Sequence, residues 1–351
     1  MTLCDPIIAN NQERSPLDLP EGVPPLNSYY VYMTAGCNLA CQHCWLTPTF
    51  QSNGGTGGHL DFDLFALAID EGLPLGLRNI KLTGGEPLLH PELFNAIKLI
   101  RLCGMRSFMA TSGMGLTAEV IDRLVESGLG ALYLSLNGST KEIHEVSRGN
   151  YDATIKALSL LKEGDLWYGI NWVARNDNVD DFSDLVDLCV GHYKAKAIDV
   201  LMLKPDVNNK IDCCLDEYQA IFLANQIKKL QNLGCCINVE FCFTQLRHYL
   251  PLDDEDVVVG CPAGIFLMAI NVEGEKMPCR HLIHLADETK DIISYWEGSD
   301  AFKRFRSANR NIKEPCNNCS YFKLKKCGPC RAVADKIHGV SESKEADCPL
   351  L

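Results

Sequence analysis

From residue 29 onward, short apolar runs alternate with longer stretches whose apolar residues recur every three or four positions. The runs YYVYMTA (29–35), NIKLTGG (79–85), RSFMAT (106–111), ALYLSLN (131–137), YGINWVA (168–174) and AIDVLMLKP (197–205) are short and nearly continuous. Each reads as a strand covered on both faces. Each is followed by a helical pattern: 61–73, 91–104, 118–128, 151–164, 180–193 and 215–234, with Asp61 placed to open the first. Six strand-then-helix repeats imply parallel strands joined by right-handed crossovers. The predicted fold is α/β, a partial (β/α)6 barrel, and its chemistry belongs at the C-terminal ends of the strands.

The pattern changes after about residue 235. CCINVEFCF (235–243) is strand-like, IFLMAINVEGEKMPC (265–279) reads as a hairpin turning at Glu273–Gly274, and 292–308 is helical. Cysteine crowds the remainder. We therefore divide the chain into a polar, Pro-bearing arm (1–28), the barrel (29–235) and a small cysteine-rich α+β domain (236–351).

Composition narrows the function. A chain of 351 residues, 46% hydrophobic, buries a large core. A net charge of −12 offers no dominant basic surface to nucleic acid. With no long apolar run and no apolar signal core at the N-terminus, the expectation is a soluble, cytoplasmic protein with no membrane partner. In that compartment 18 cysteines are not a disulfide framework, and metal binding is the better reading.

The sharpest motif is GCNLACQHCW (36–45), just past the first strand. Cys37, Cys41 and Cys44 supply three ligands from one tight loop, whereas an iron–sulfur cluster takes four, so one iron is left for another partner. At the tip of the second strand lies KLTGGEP (81–87). Gly84 and Gly85 permit close backbone approach to a ligand, Glu86 offers a carboxylate to an ammonium, and Pro87 fixes the exit.

On these motifs residues 29–235 resemble the radical S-adenosylmethionine (SAM) superfamily. The resemblance implies a 4Fe–4S cluster on the three cysteines, its open iron chelating SAM and its electron releasing a 5′-deoxyadenosyl radical. It assigns Gly84, Gly85 and Glu86 to the methionine amino group, His43 to the adenine, Ser135 and Asn137 to cofactor contacts, and Arg148 to the carboxylate. Asn171 and Lys204 are further cofactor candidates. Asn137 stands where such proteins usually have Asp, and TSG (111–113) stands where many have Thr-Asn-Gly.

Beyond the barrel come Cys261, Cys279, Cys316, Cys319, Cys327, Cys330 and Cys348. Taken alone, two CxxC pairs suit zinc as well. The set resembles the SPASM extension, which carries two auxiliary 4Fe–4S clusters in peptide-modifying radical enzymes. That resemblance puts Cys261, Cys279 and Cys330 on the first cluster, and Cys316, Cys319, Cys327 and Cys348 on the second. Cys327 and Cys330 are exchangeable because their spacing departs from the usual pattern. The fourth ligand of the first cluster is Cys242, or that iron is open to substrate. Two further clusters fit a net oxidation, in which an electron leaves the substrate radical.

The implied function is modification of a ribosomally made precursor peptide by cross-linking or backbone rearrangement. CQHCW followed by LTP resembles the tyramine-excising spliceases. A separate leader-recognition protein and a flavodoxin or ferredoxin reductant are the implied partners. Alternatives are sulfatase-type formylglycine formation and oxidation of a small molecule (a sugar, an aminocyclitol or a tetrapyrrole). Against the former, Arg280 follows Cys279 where that group has a basic Asp. No acid or base is assigned; Arg280 and Tyr321 are the candidates.

Overall fold

The computed structural model describes residues 17–46, 49–50, 58–204, 211–250, 261–287, 291–308, 314, 316–319 and 330–338. Strands β1 (Ser28–Thr34), β4 (Asn79–Gly84), β5 (Arg106–Thr111), β6 (Ala131–Ser135), β7 (Tyr168–Ala174) and β8 (Ile198–Met202) pair in that order, every pair parallel. A two-stranded accessory ribbon, β2 (Gly36–Cys37) with β3 (Thr49–Phe50), lies at the cysteine loop. All residues of β6 and β7 are buried, as strands between a filled interior and a helical layer must be.

The helices obey local rules. The Asp61 side chain accepts from the backbone of Asp63 and Leu64 to start the helix Phe62–Gly72. Thr117 caps Ala118–Ser127, which ends at Gly128 in the left-handed conformation, and Asp216 with Gln219 forms a capping box on Glu217–Asn232. The expected helix near 180–193 is instead an α-turn, Phe182–Val186, followed by a π-turn, Asp187–His192.

Two additions lengthen the sheet. β9 (Ile237–Val239) pairs parallel with β8, so hydrogen bonding runs across residue 235. At the other edge β10 (Leu267–Ile270) joins β1 in parallel, and β11 (Lys276–Met277) returns antiparallel as the expected hairpin. The full order is β11-β10-β1-β4-β5-β6-β7-β8-β9. The hairpin of β10 and β11 is thus bonded into the barrel sheet, with Cys261 before it and Cys279 after it. Helices Ile292–Gly298 and Asp300–Ala308 replace the single expected helix, and Trp296 and Phe302 are buried beneath them. Among the described residues, no helix is long and apolar enough to cross a membrane.

Candidate active site

The cysteine loop leaves β1 at its C-terminal end and is stitched to the tip of β4. Gly85 N–H donates to the Thr34 carbonyl at 2.7 Å, and Glu86 N–H donates to the Gly36 carbonyl at 2.8 Å. A Cβ on Gly85 would lie 1.9 Å from the Gly36 oxygen; one on Gly84, at φ +121°, would lie 2.5 Å from the Thr34 oxygen. The glycines therefore admit the cysteine loop's backbone, a role the sequence reading did not assign to them. Within the loop Leu39 N–H donates to Cys37 Sγ at 3.4 Å. Burial pushes the Cys37 thiol up to about 11, with Glu86, Cys41 and Cys44 near enough to raise it further. The three half-buried thiols share this one loop, and a metal cluster bound there would take them as thiolates.

Glu86 is fully engaged. Its Oε1 accepts from Thr111 Oγ1 at 2.7 Å and from Leu88 N–H at 3.2 Å. Its Oε2 accepts from the Ser112 N–H at 2.8 Å and hydroxyl at 2.7 Å. Burial raises its pKa, and these bonds work against the rise. Ser112 replaces the commoner Asn and still clamps the carboxylate. Four acceptor positions being filled, what Glu86 has left for an ammonium is mainly its charge.

The β6–β7 side shows a different division of labour. Asn137 is buried; its amide donates to Ser147 Oγ at 2.8 Å, and its carbonyl accepts from Val173 N–H at 3.3 Å. Asp could not make that donation, which accounts for Asn here. Asn137 thereby braces the segment carrying Arg148, rather than offering free polar atoms to a cofactor. Arg148 Nη2 donates to His43 Nε2 at 3.1 Å, and Gln42 N–H donates to the Ser147 carbonyl. Asn171 lies mid-strand in β7 but is level with Ser135, the last residue of the shorter β6. Arg148 Nε, Asn171 Oδ1 and Asn38 Oδ1 are buried without a protein partner.

His144 sits beneath this segment, its Nδ1 accepting from Asn137 N–H at 3.2 Å and its Nε2–H donating to the Gly149 carbonyl at 3.3 Å. Burial, then the Arg148 charge, depress its pKa from 6.5 to about 4. A histidine held neutral stabilises the fold fully above its unfolded pKa and loses that contribution as pH falls through the folded value. We expect up to about 3 kcal/mol of stability to disappear between about pH 6.5 and 4. Urea titrations across that range should show a shallower pH dependence for His144→Gln.

On the opposite side, Lys204 is engaged by protein partners. Its Nζ donates to Glu240 Oε2 at 2.7 Å and to the Met202 carbonyl at 3.4 Å. Glu240 Oε1 accepts from Arg280 Nη2 at 3.0 Å. Burial favours neutral Glu240, but Lys204 and Arg280 outweigh it and hold the carboxyl down to about 2. The Arg280 guanidinium lies over Tyr30 (4.6 Å) and Trp45 (5.1 Å). Trp45 Nε1–H donates to the Tyr32 hydroxyl at 2.8 Å, and that hydroxyl donates to the Arg280 carbonyl. Residues adjacent to Cys44 and Cys279 are thus in direct contact. Arg280 is a structural cation rather than a free acid or base, whereas Tyr29 simply packs, its hydroxyl donating to the Ala68 carbonyl.

Glu240 was not anticipated; the signal was an acidic residue ending a strand-like run, INVE. Glu240→Gln leaves two buried cations uncompensated and should cost about 3 kcal/mol in denaturant titration.

Among the C-terminal cysteines, Cys261 is buried before β10 and Cys279 follows β11, while Cys330 is buried at the start of the helix Arg331–His338. These three gather with Cys242, which is also buried. Cys316 opens a 3-10 turn, Cys316–Asn318, and Cys319 follows it, half-buried. Cys327, Cys348 and Tyr321 lie outside the described residues.

A trio of thiols at one strand end, bordered by orphaned buried donors and acceptors, suits an iron–sulfur cluster with an amino-acid-bearing nucleotide on it. The comparisons agree. Residues 31–189 match the Radical SAM superfamily. Over 339 residues the chain is 26% identical to the AdoMet-dependent heme synthase of Methanosarcina barkeri, covering 90% of this chain and 94% of that one. It is 23% identical to the PqqA peptide cyclase of Ruegeria pomeroyi over 93% of this chain and 88% of that one. In structure it resembles SuiB of Streptococcus suis bound to S-adenosylmethionine, with TM-score 0.76 and 20% identity, over 93% of this chain and 77% of that one. Residues 31–189 thus form a radical SAM domain.

Proposed function

We propose that this enzyme oxidatively modifies a ribosomally made precursor peptide, forming a cross-link or rearranging the backbone. The observation that carries this reading is the extent of the likeness to SuiB, which has also been solved bound to its precursor peptide SuiA: 93% of this chain is covered. That share is too large for the barrel alone, so it takes in part of the cysteine-rich segment. The identity to a PqqA peptide cyclase along nearly the whole chain supports the same reading.

When bound, the cluster on Cys37, Cys41 and Cys44 and its SAM supply a 5′-deoxyadenosyl radical that removes a hydrogen atom from substrate. The protein's own part is positional. The Gly85–Glu86 strap fixes the loop, the Glu86 charge favours the methionine ammonium, and Arg148 and Asn171 bring unpartnered polar atoms to the same mouth. Gly84, His43 and Ser135 complete the assigned cofactor wall. The C-terminal cysteines, on this reading, hold two auxiliary 4Fe–4S clusters that accept the electron an oxidised product must lose. Flavodoxin or ferredoxin would supply reducing equivalents, and a separate protein would present the leader.

A second reading, oxidation of a tetrapyrrole, is favoured by the greater identity to relatives named AdoMet-dependent heme synthase. The test is anaerobic incubation of reconstituted enzyme with SAM and dithionite, presenting peptides encoded beside the gene or iron porphyrins. A mass loss on a peptide, with 5′-deoxyadenosine rising in step, supports the first reading. A product from the porphyrin alone overturns it in favour of the second.

A further inference from the structure

We propose that the Lys81 ammonium receives a carboxylate of the substrate inside the barrel, in a slot walled by the rings of Tyr30 and Tyr133. The proposal rests on the reading that substrate is modified at the mouth of this barrel. It names the chemistry that substrate must bring: a carboxylate, whether from an acidic peptide side chain or from a porphyrin.

Strand alternation puts Lys81 on the inner face. Its neighbours in β4, Ile80 and Leu82, are fully buried in the main core, so Lys81 between them points the other way, into the barrel. Tyr30 of β1 and Phe108 of β5 flank it in register. Phe108 and Tyr133 belong to a small apolar cluster separate from the main core, which is the lining of the interior. The Lys81 Nζ lies 5.6 Å from the centre of the Tyr30 ring and 5.0 Å from that of Tyr133. Tyr133 is buried and packs on Trp167, with ring centres 5.7 Å apart, whereas Tyr30 and Lys81 are half-buried. The ammonium is thus held by ring faces yet reachable from the barrel's interior.

Ring faces attract the charge but leave the three N–H donors of an ammonium in want of acceptors. Among the described residues Lys81 has these two ring contacts and no carboxylate partner. The carboxylates of the inner face and its rim are engaged elsewhere. Asp199 of β8 accepts from Asn238 Nδ2 at 3.0 Å, Glu240 is bonded by Lys204 and Arg280, and Glu86 by Thr111 and Ser112. Arg280 covers the same Tyr30 ring at 4.6 Å, but Glu240 meets its charge. One ammonium between aromatic rings suits a single carboxylate; a phosphate calls for more donors, and the Arg280 fork is already bonded. Lys81 lies three residues before Gly84, about 10 Å down the strand from the rim. A carboxylate seated there leaves the rest of its chain rising toward the cysteine loop, so the anchored end and the reacting end of the substrate are separated along β4.

The test uses the full-length holoenzyme, reconstituted without oxygen and with SAM bound, so that the SAM carboxylate does not answer for the result. Lysines are reductively 13C-methylated, which keeps their charge, and the Lys81 signal is identified by its loss in Lys81→Arg. Two pairs of probes are titrated: N-acetylglutamate amide against N-acetylglutamine amide, and mesoporphyrin against its diamide. We expect the Lys81 signal to shift saturably with an acid and not with the matching amide. Saturation-transfer measurements on the probe should show the acid binding at least about tenfold more weakly to Lys81→Met, with most of the affinity kept in Lys81→Arg. A response to N-acetylglutamate amide alone makes the carboxylate a peptide's, and a response to mesoporphyrin alone makes it a porphyrin's. The acid–amide comparison needs no variant, so it decides the matter if Lys81→Met does not fold. The proposal is overturned by equal responses to acid and amide, by no saturable shift with either acid, or by unchanged affinity in Lys81→Met. No turnover is read, so failure to modify any peptide leaves this result intact. Failure here leaves the proposed function standing, with Lys81 a packing residue.

Discussion

Changing Cys37, Cys41 and Cys44 together to alanine abolishes 5′-deoxyadenosine formation and leaves iron bound by the C-terminal cysteines. The expectation follows from where the thiols are. They share one loop at the end of β1, and the other described cysteine cluster is held by separate elements (β9 to β11 and the helix Arg331–His338). Removing three short side chains from a loop whose backbone is tied to β4 does not disturb the sheet. The protein should keep its circular dichroism and about eight of its irons while cleaving no SAM. Nucleoside analysis by liquid chromatography, with iron measured on the same sample, checks both halves. Cleavage retained in this variant would remove the basis for placing radical chemistry at the barrel mouth.

Gly85→Ala is the second large effect, and it separates the strap from the cofactor. Its new Cβ would stand 1.9 Å from the Gly36 carbonyl oxygen and 2.5 Å from the carbon. Both are backbone atoms, so no rotamer change relieves the clash. Either β4 withdraws or the cysteine loop moves, and about 3 kcal/mol of stability is the expected cost. Because the displaced backbone leads directly into Cys37, an ångström of movement there should reduce SAM cleavage at least about a hundredfold. Gly191→Ala is the control, since its Cβ meets nothing within 4 Å. Near-normal cleavage by Gly85→Ala would mean that the strap's contact with the loop is not what sets the site.

These two positions also mark what a sequence reveals. The six core strands were legible because they are short, mostly apolar runs, and β6 and β7 are buried along their whole length; the cysteine loop was legible because its ligands are local. Contacts between distant segments were not. Nothing near Ser28 announces that Leu267 will pair with it, and a parallel edge strand needs no turn signal of its own. Glu240 reads as an ordinary strand-end carboxylate until Arg280, 40 residues on, arrives beside it. Lys204 and Asn137 carried the right polarity for cofactor work, but their hydrogen bonds go to Glu240 and to Ser147. Polar residue type shows that a partner exists, whereas folding decides which one.

On the proposed function, one SAM-binding cluster in the barrel works with two auxiliary clusters in the cysteine-rich segment. Iron, sulfide and zinc per chain, measured on protein purified and reconstituted without oxygen, test it most directly. About twelve irons with matching sulfide and no zinc are expected for three 4Fe–4S clusters. About four irons together with zinc would contradict it, making the C-terminal cysteines structural.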